Sequence, residues 1–348
     1  MSLILFVFLG LCLYGMQVKV FNREYISRQT TVQINGIFVV LVFLSHFVTY
    51  LETEFPYSFV YMNVREFFSQ LVVTTFLFYS GYGVLTSIDK KQAQYVQSLP
   101  IKILELLLNF SLAIGLFVLV GTMMGKEYTL SKIVLACIGW TSVGNSNWYL
   151  FDILLLYGIT YISFSCCRDR KHALWMVFGL SLGSMVFLFL FKEGTRWYNT
   201  FLCFWLGMMY GEYRRSFEAW IQKDRRVFYG AFLILILGFL VSIYLRRAMF
   251  FYILHALLFT LIVNLISMKV EINNPFLKWA GAHIFSIYIL QRIPMMIGDY
   301  FHMNEENVFF YFGFTVICTM VLAQYFDRFL EKLSKKLFLP MKKRIEGY

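Results

Sequence analysis

The stretch INGIFVVLVFLSH, residues 34–46, decides the fold of this chain. Between Asn35 and His46 lie ten residues, Gly36 to Ser45, and all are apolar except that serine. So apolar a segment predicts a membrane-spanning helix. An ionisable residue inside such a helix is costly and usually faces a cavity within the protein. The stretch therefore predicts a membrane protein and makes His46 the first candidate for function.

The composition of the whole chain agrees with this interpretation. Of its 348 residues, 59% are hydrophobic and only 15% are charged, whereas soluble domains carry about a quarter charged residues. We therefore predict an all-α, polytopic integral membrane bundle. The net charge of +11 does not indicate a nucleic-acid partner, because Lys and Arg occupy alternate short loops and form no single basic face. The six cysteines show neither disulfide nor zinc spacing, so no metal is expected.

Runs of about 20 apolar residues predict ten or eleven transmembrane helices, in contact with membrane lipid. We expect residues 1–20 to form an extra N-terminal transmembrane helix, 21–331 a single membrane domain, and 332–348 a basic cytosolic tail. The predicted spans lie at 2–18, 34–51, 67–87, 103–124, 146–165, 173–191, 197–211, 228–245, 248–268, 280–299 and 307–330.

Loop charge predicts the orientation. Basic loops alternate with weakly charged or acidic ones, such as the loops containing Glu52 and Glu54 or Glu305 and Glu306. Positive charge favours the cytosolic side, which places the N-terminus outside and the C-terminus in the cytosol. Arg246-Arg247, in a short loop predicted to be external, is the main exception.

Asp152 and His255 are predicted to lie at a membrane depth similar to that of His46. A histidine near a carboxylate could deprotonate a hydroxyl, with the acid orienting the ring. The alternative is structural: each residue makes one interhelical hydrogen bond, worth about 0.6 to 2 kcal/mol in membranes.

Four blocks together resemble the acyltransferase-3 family of integral membrane O-acyltransferases. The first is the 34–46 stretch, and the second is TFLFYSGYG at 75–83, similar to the family's Phe-Phe-x-x-Ser-Gly-Phe/Tyr motif. The others are Trp148-Tyr149-Leu150 and FSIYIL at 285–290. The order of these blocks, rather than any one of them, carries the resemblance.

The resemblance implies a specific reaction. Members of this bacterial plasma-membrane family take an acyl group, usually acetyl, from acetyl-CoA on the cytosolic side. They place it on a hydroxyl of a cell-surface or exported glycan, such as a capsule polysaccharide. Carried over to this chain, His46 becomes the general base for the acceptor hydroxyl.

This chain departs from the family pattern in its basic residues. Asn35 replaces the arginine of the first block, and Lys102 alone remains of an arginine-rich stretch. Gln291 replaces a late histidine. We expect the thioester to approach near Asn35 and Lys102. Arg292 either pairs with a buried carboxylate, Asp152 or Glu105, or lines the cavity and binds phosphate or a developing oxyanion.

Three further residues have two interpretations each. Ser80, with Tyr82 in the same block, either lines the cavity and binds the donor or serves close helix packing at Gly81. Trp148 either stacks on a sugar or adenine ring or anchors the chain at the membrane interface. At the level of the whole chain, the alternatives are a glycan polymerase or flippase of the same pathway and a non-catalytic membrane scaffold.

Overall fold

The structure is a computed structural model and describes residues 2–51 and 59–346. The predicted external acidic segment with Glu52 and Glu54 lies outside the described residues. Within them the chain is almost entirely helical. The elements are α1 Ser2–Leu13, β1 Met16–Val18, α2 Arg28–Phe47, α3 Phe59–Phe68, α4 Thr74–Met123, α5 Leu130–Cys137, α6 Trp148–Cys166, α7 Arg170–Phe191, α8 Leu202–Ile221, α9 Arg225–Leu245, α10 Met249–Ser267, β2 Val270–Ile272, α11 Pro275–Ala282, α12 Ile284–Leu290, α13 Arg292–Tyr300, α14 Met303–Glu306, α15 Val308–Leu337 and α16 Leu339–Glu346.

The predicted all-α polytopic bundle is confirmed. In the described part of the chain, seven helical segments are long and apolar enough to cross a membrane. This count is lower than the predicted ten or eleven, partly because α4 continues through two predicted spans. Its 50 residues are interrupted at Gln92, where φ is 48°, and Pro100 removes one further backbone donor. The first arm of α4 therefore covers residues 74–91.

The N-terminus differs from the predicted transmembrane helix over residues 1–20. Helix α1 has 12 residues and is about 18 Å long, shorter than a hydrocarbon core of about 30 Å. It ends because residues Met16–Val18 form β1, which pairs antiparallel with β2. Gly15, with φ of +74°, makes the turn between helix and strand and lies against the Asn273 carbonyl.

Over the predicted span at 280–299 the chain forms three short consecutive helices, α11 to α13. The breaks fall at His283 and Gln291. Asp327 of α15 contacts the chain at the first break, because its carboxylate accepts hydrogen bonds from the His283 ring and from the Ser286 hydroxyl. Periodicity could not reveal these breaks because the whole segment is apolar. The second break turns Gln291 toward α2.

Glycines set the closest helix crossings. A Cβ on Gly36 of α2 would lie 2.1 Å from the Leu277 carbonyl oxygen of α11. A Cβ on Gly81 of α4 would lie 1.9 Å from the Phe204 carbonyl oxygen of α8. Small residues allow such close approach between membrane helices. For the Ser80-Gly81 pair, the structure thus supports the packing interpretation.

Within the predicted tail of residues 332–348, helix α16 packs against α4 and α15. Glu105 of α4 accepts a hydrogen bond from Ser334 and forms an ion pair with Lys342 of α16. Glu105 was one of the two carboxylates predicted as a partner for Arg292, and it is paired with Lys342 instead.

Candidate active site

His46 lies near the C-terminal end of α2 and has two polar neighbours. Its Nδ1 is 3.1 Å from Nε2 of Gln291, at the break between α12 and α13. Its Nε2 is 3.4 Å from Oγ of Ser146, in the segment that precedes α6. Gln291 and Ser146, which are distant from His46 in sequence, thus each contact one nitrogen of its ring.

The Gln291 amide determines where the imidazole proton lies. Its Nε2 donates to the Tyr288 carbonyl oxygen at 3.1 Å, and a carbonyl can only accept. The second N–H of the same nitrogen is directed at Nδ1 of His46, which therefore accepts. In this arrangement the neutral ring carries its proton on Nε2, facing Ser146. Within the described chain, Oε1 of Gln291 has no hydrogen-bond partner.

A cavity of about 460 Å³ opens beside His46, within the usual range of about 300–1,000 Å³ for ligand sites. The Tyr288 ring borders it, with its centroid 6.5 Å from that of His46. The cavity lies between α2, α3, residues 69–73 before α4, the start of α6, the segment between α7 and α8, and α12. Its lining residues are Val42, Ser45, His46, Met62, Arg65, Glu66, Ser69, Gln70, Val72, Val73, Trp148, Arg196 and Tyr288.

Arg292 lies close to this site. Its guanidinium carbon is 5.9 Å from the centroid of the Tyr50 ring, and its charge acts on both His46 and Tyr288. Neither Asp152 nor Glu105 forms an ion pair with it among the residues that the structure describes. Arg292 is therefore not held in the expected ion pair, and it lies beside the cavity rather than among its lining residues.

The comparison with protein families gives the class of reaction. Residues 33–327, most of the chain, match the acyltransferase domain that defines the acyltransferase-3 family. The chain belongs to the acyltransferase-3 family. No curated protein and no solved structure matches it. The family resemblance deduced from the four blocks is confirmed, and the protein is a membrane acyltransferase.

Asp152 of this acyltransferase is completely buried in α6, one turn after Trp148. Neither of its carboxylate oxygens has a hydrogen-bond partner in the described residues. Its charge acts on Tyr149 and Tyr288, so it lies behind the aromatic wall of the cavity. The structure does not bring it into contact with His46, and the expected histidine–carboxylate pair is not formed. Gln291 occupies the position at Nδ1 instead.

His255 lies elsewhere in the acyltransferase fold. Its Nδ1 is 2.7 Å from Oγ of Ser242 on α9, and its ring stacks on Phe239 with centroids 4.3 Å apart. It does not line the cavity beside His46. The geometry is that of the structural alternative, one interhelical hydrogen bond between α9 and α10, and His255 is not carried into the proposed site.

Of the predicted donor-binding residues, only Trp148 lines the cavity beside His46. Lys102 lies over the Tyr95 ring, 3.6 Å from its centroid. The Tyr82 hydroxyl accepts a hydrogen bond of 2.7 Å from Arg214. Asn35 is about 16 Å from His46 along α2, and its buried Oδ1 has no partner among the described residues.

Ser80 is placed differently from the other predicted donor-binding residues. It lies within interaction distance of the Tyr149 and Tyr157 hydroxyls, between α4 and α6. Tyr149 packs on Tyr288, with ring centroids 5.3 Å apart. Tyr157, Ser80, Tyr149 and Tyr288 therefore form a series of neighbouring hydroxyl-bearing side chains that ends at the cavity.

A second cavity, of about 750 Å³, lies at the break in α4. Gln92, Arg168 and Arg170 line it. Arg170 pairs with Asp89 and Glu212. Val73, just before α4, lines the first cavity and Ile88, near the end of the first arm, lines the second, which is about 22 Å along the helix axis. The acyltransferase thus has two polar cavities at opposite ends of one membrane-length helix.

Sequence reasoning missed Arg65 and Arg196 in the first cavity and the cavity at Gln92. Arg65 and Arg196 are basic residues in segments predicted to be external, where the positive-inside rule expects few, and that signal could have identified them. Gln92 carries no such signal, because a single residue with positive φ is not visible in an apolar pattern.

Proposed function

We propose that this acyltransferase moves an acetyl group from acetyl-CoA to a hydroxyl of a cell-surface or exported glycan, with His46 as the general base. The observation that carries the proposal is the placement of His46 at the wall of the cavity, between Gln291 and Ser146. Trp148 in the same wall supports a sugar acceptor, since aromatic faces pack well on sugar rings. Membership of an acyltransferase family disfavours the polymerase and flippase alternatives.

The reaction balances with one histidine. The acceptor oxygen attacks the thioester carbonyl carbon while its proton passes to the His46 imidazole. The tetrahedral intermediate then collapses, the C–S bond breaks, and the thiolate takes the proton from the imidazolium. The products are the glycan ester and the free CoA thiol. The positive charge of Arg292 near His46 supports stabilisation of the developing oxyanion.

The imidazole must first present a lone pair to the acceptor. In the resting arrangement Nδ1 accepts from Gln291, so the proton lies on Nε2. Turning the Gln291 amide would offer Oε1 to an Nδ1–H and leave the Nε2 lone pair free. The turn breaks one hydrogen bond, to Tyr288, because Oε1 has no partner among the described residues. Gln291 thereby serves as a positioning residue that selects the reactive tautomer.

The donor side of the proposal rests on the second cavity. Arg168 in its wall suits the phosphate groups of CoA, because guanidinium groups bind phosphates bidentately, whereas Arg170 is already paired with Asp89 and Glu212. Charge patterning assigns this end of the bundle to the cytosol, where acetyl-CoA is made. Asn35, with its unpaired Oδ1, and Lys102 remain proposed contacts for the donor on the same side.

The proposal is tested on the glycans of cells that make the wild-type protein, His46→Ala or His255→Ala. Each protein is quantified in the membrane, and the surface glycan is scored for acetyl groups by mass spectrometry. We expect acetylation with the wild type and His255→Ala and none with His46→Ala. Equal acetylation with all three proteins would refute the role of His46.

A further inference from the structure

The cavity beside His46 carries more positive charge than its position in the membrane explains. Arg65 and Arg196 both line it, and Arg292 lies nearby. This end of α2 is the one that loop charge predicts to face the exterior, where arginine is depleted. Membrane topology therefore does not account for these arginines, whereas it does account for the basic residues at the opposite end.

Within the part of the chain that the structure describes, no acidic side chain neutralises these two charges. Throughout residues 2–51 and 59–346, neither Arg65 nor Arg196 forms a hydrogen bond or ion pair through its side chain. Glu66 is the acidic residue among the lining side chains. Its carboxylate is 3.5 Å from Arg246 and is mostly exposed, so its charge is already matched by an arginine outside the cavity. The cavity is left with a net positive charge.

Arg65 is half-buried, Arg196 is exposed, and both line the cavity beside the partly buried His46. Their charges oppose a second positive charge on His46, and the neighbouring apolar side chains screen charge less well than water does. A guanidinium presents a planar fork that matches a carboxylate or phosphate. Since the described chain supplies no such partner, the partner fits best as a part of the substrate.

We propose that the acceptor is an anionic glycan, with a carboxylate or phosphate on the acylated sugar or its neighbour. Arg65 and Arg196 hold the acid group while Trp148 packs against the ring and a hydroxyl faces His46. This inference rests on the proposed function and adds the substrate class. It also gives His46 a bound anion nearby, which would stabilise the imidazolium formed during transfer.

The first test identifies the sugar that carries the His46-dependent acetyl group. Glycan from cells making wild-type protein or His46→Ala is fragmented and analysed by mass spectrometry. Carbodiimide-coupled borohydride reduction labels carboxylates, and aqueous hydrogen fluoride cleaves phosphodiesters, so the two acid groups are distinguished. We expect the acetyl group on a repeat unit with one of these acids. An acetyl group on a neutral glycan would overturn the inference alone, whereas an absence of His46-dependent acetylation would overturn the proposed function with it.

The second test measures kinetics in membrane vesicles, with the glycan from the first experiment as acceptor. We expect Arg65→Gln and Arg196→Gln each to raise the acceptor KM about tenfold or more, as for loss of a charged hydrogen bond. The KM for acetyl-CoA should not change, and Arg65→Lys should recover part of the loss. Arg247→Gln removes an arginine from the α9–α10 loop outside the cavity and serves as the matched control. Unchanged acceptor KM values, or a fall in kcat alone, would overturn the proposed binding role.

Discussion

A single methyl group at Gly36 should disable His46 from a distance of about 15 Å along α2. The added Cβ would lie 2.1 Å from the Leu277 carbonyl oxygen, whereas ordinary contacts start at 3.4 Å. Helices α2 and α11 would therefore have to separate by about 1 Å, and a misplacement of that size costs on the order of 100-fold in rate.

The displacement acts on the bond between His46 and Gln291, because α2 carries one partner and the chain after α11 carries the other. Their nitrogen–nitrogen distance of 3.1 Å would lengthen to about 4 Å, which is no longer a hydrogen bond. We therefore expect Gly36→Ala to lower kcat about 100-fold. Overpacking should also lower the free energy of unfolding by about 1–3 kcal/mol.

The assay is release of the CoA thiol in the presence of the glycan, normalised to the amount of inserted protein. Gly115→Ala is the matched control, because a Cβ there meets no atom within 4 Å and should leave kcat unchanged. Full activity of correctly inserted Gly36→Ala would refute the reasoning, since the α2–α11 crossing would then not set the geometry of the site.

Three further changes test separate parts of the structure. Gln291→Leu removes the Oε1 that would accept from Nδ1–H of His46 in the reactive tautomer, and it should lower kcat on the order of tenfold to a hundredfold in the same assay; unchanged kcat would contradict its positioning role. His255→Phe loses one interhelical hydrogen bond of about 0.6 kcal/mol and should keep kcat within about threefold of wild type, so complete loss would return His255 to the active site. Lys342→Ala leaves Glu105 without its ion pair and should lower stability by about 1 kcal/mol, measured as the thermal midpoint in detergent, and no shift would show that α16 is not held by this pair.

The membrane class and the candidate residue His46 were predictable from sequence, because both depend on local composition. The run from Gly36 to Ser45 is too apolar for a solvent-exposed helix, and His46, which follows it directly, is an ionisable residue within the predicted span. The family followed from four short blocks whose order the acyltransferase domain match confirms.

The partners of His46 were not predictable, since they depend on how distant segments fold together. Asp152 and His255 were predicted to lie at a membrane depth similar to that of His46. Similar depth does not place two side chains on facing helix surfaces, and the structure places both residues away from the His46 ring. Gln291 lies at the junction of α12 and α13, and its contact with His46 depends on how that segment packs against α2. Arg65 and Arg196 converge from two different segments of the chain for the same reason.

The most direct test of the central claim uses sealed, inverted membrane vesicles with glycan inside and acetyl-labelled acetyl-CoA outside. We expect wild-type protein to label the glycan, with one CoA thiol released for each acetyl group transferred, and inserted His46→Ala to do neither. Equal labelling by both proteins, or no labelling by correctly inserted wild-type protein, would contradict the central claim.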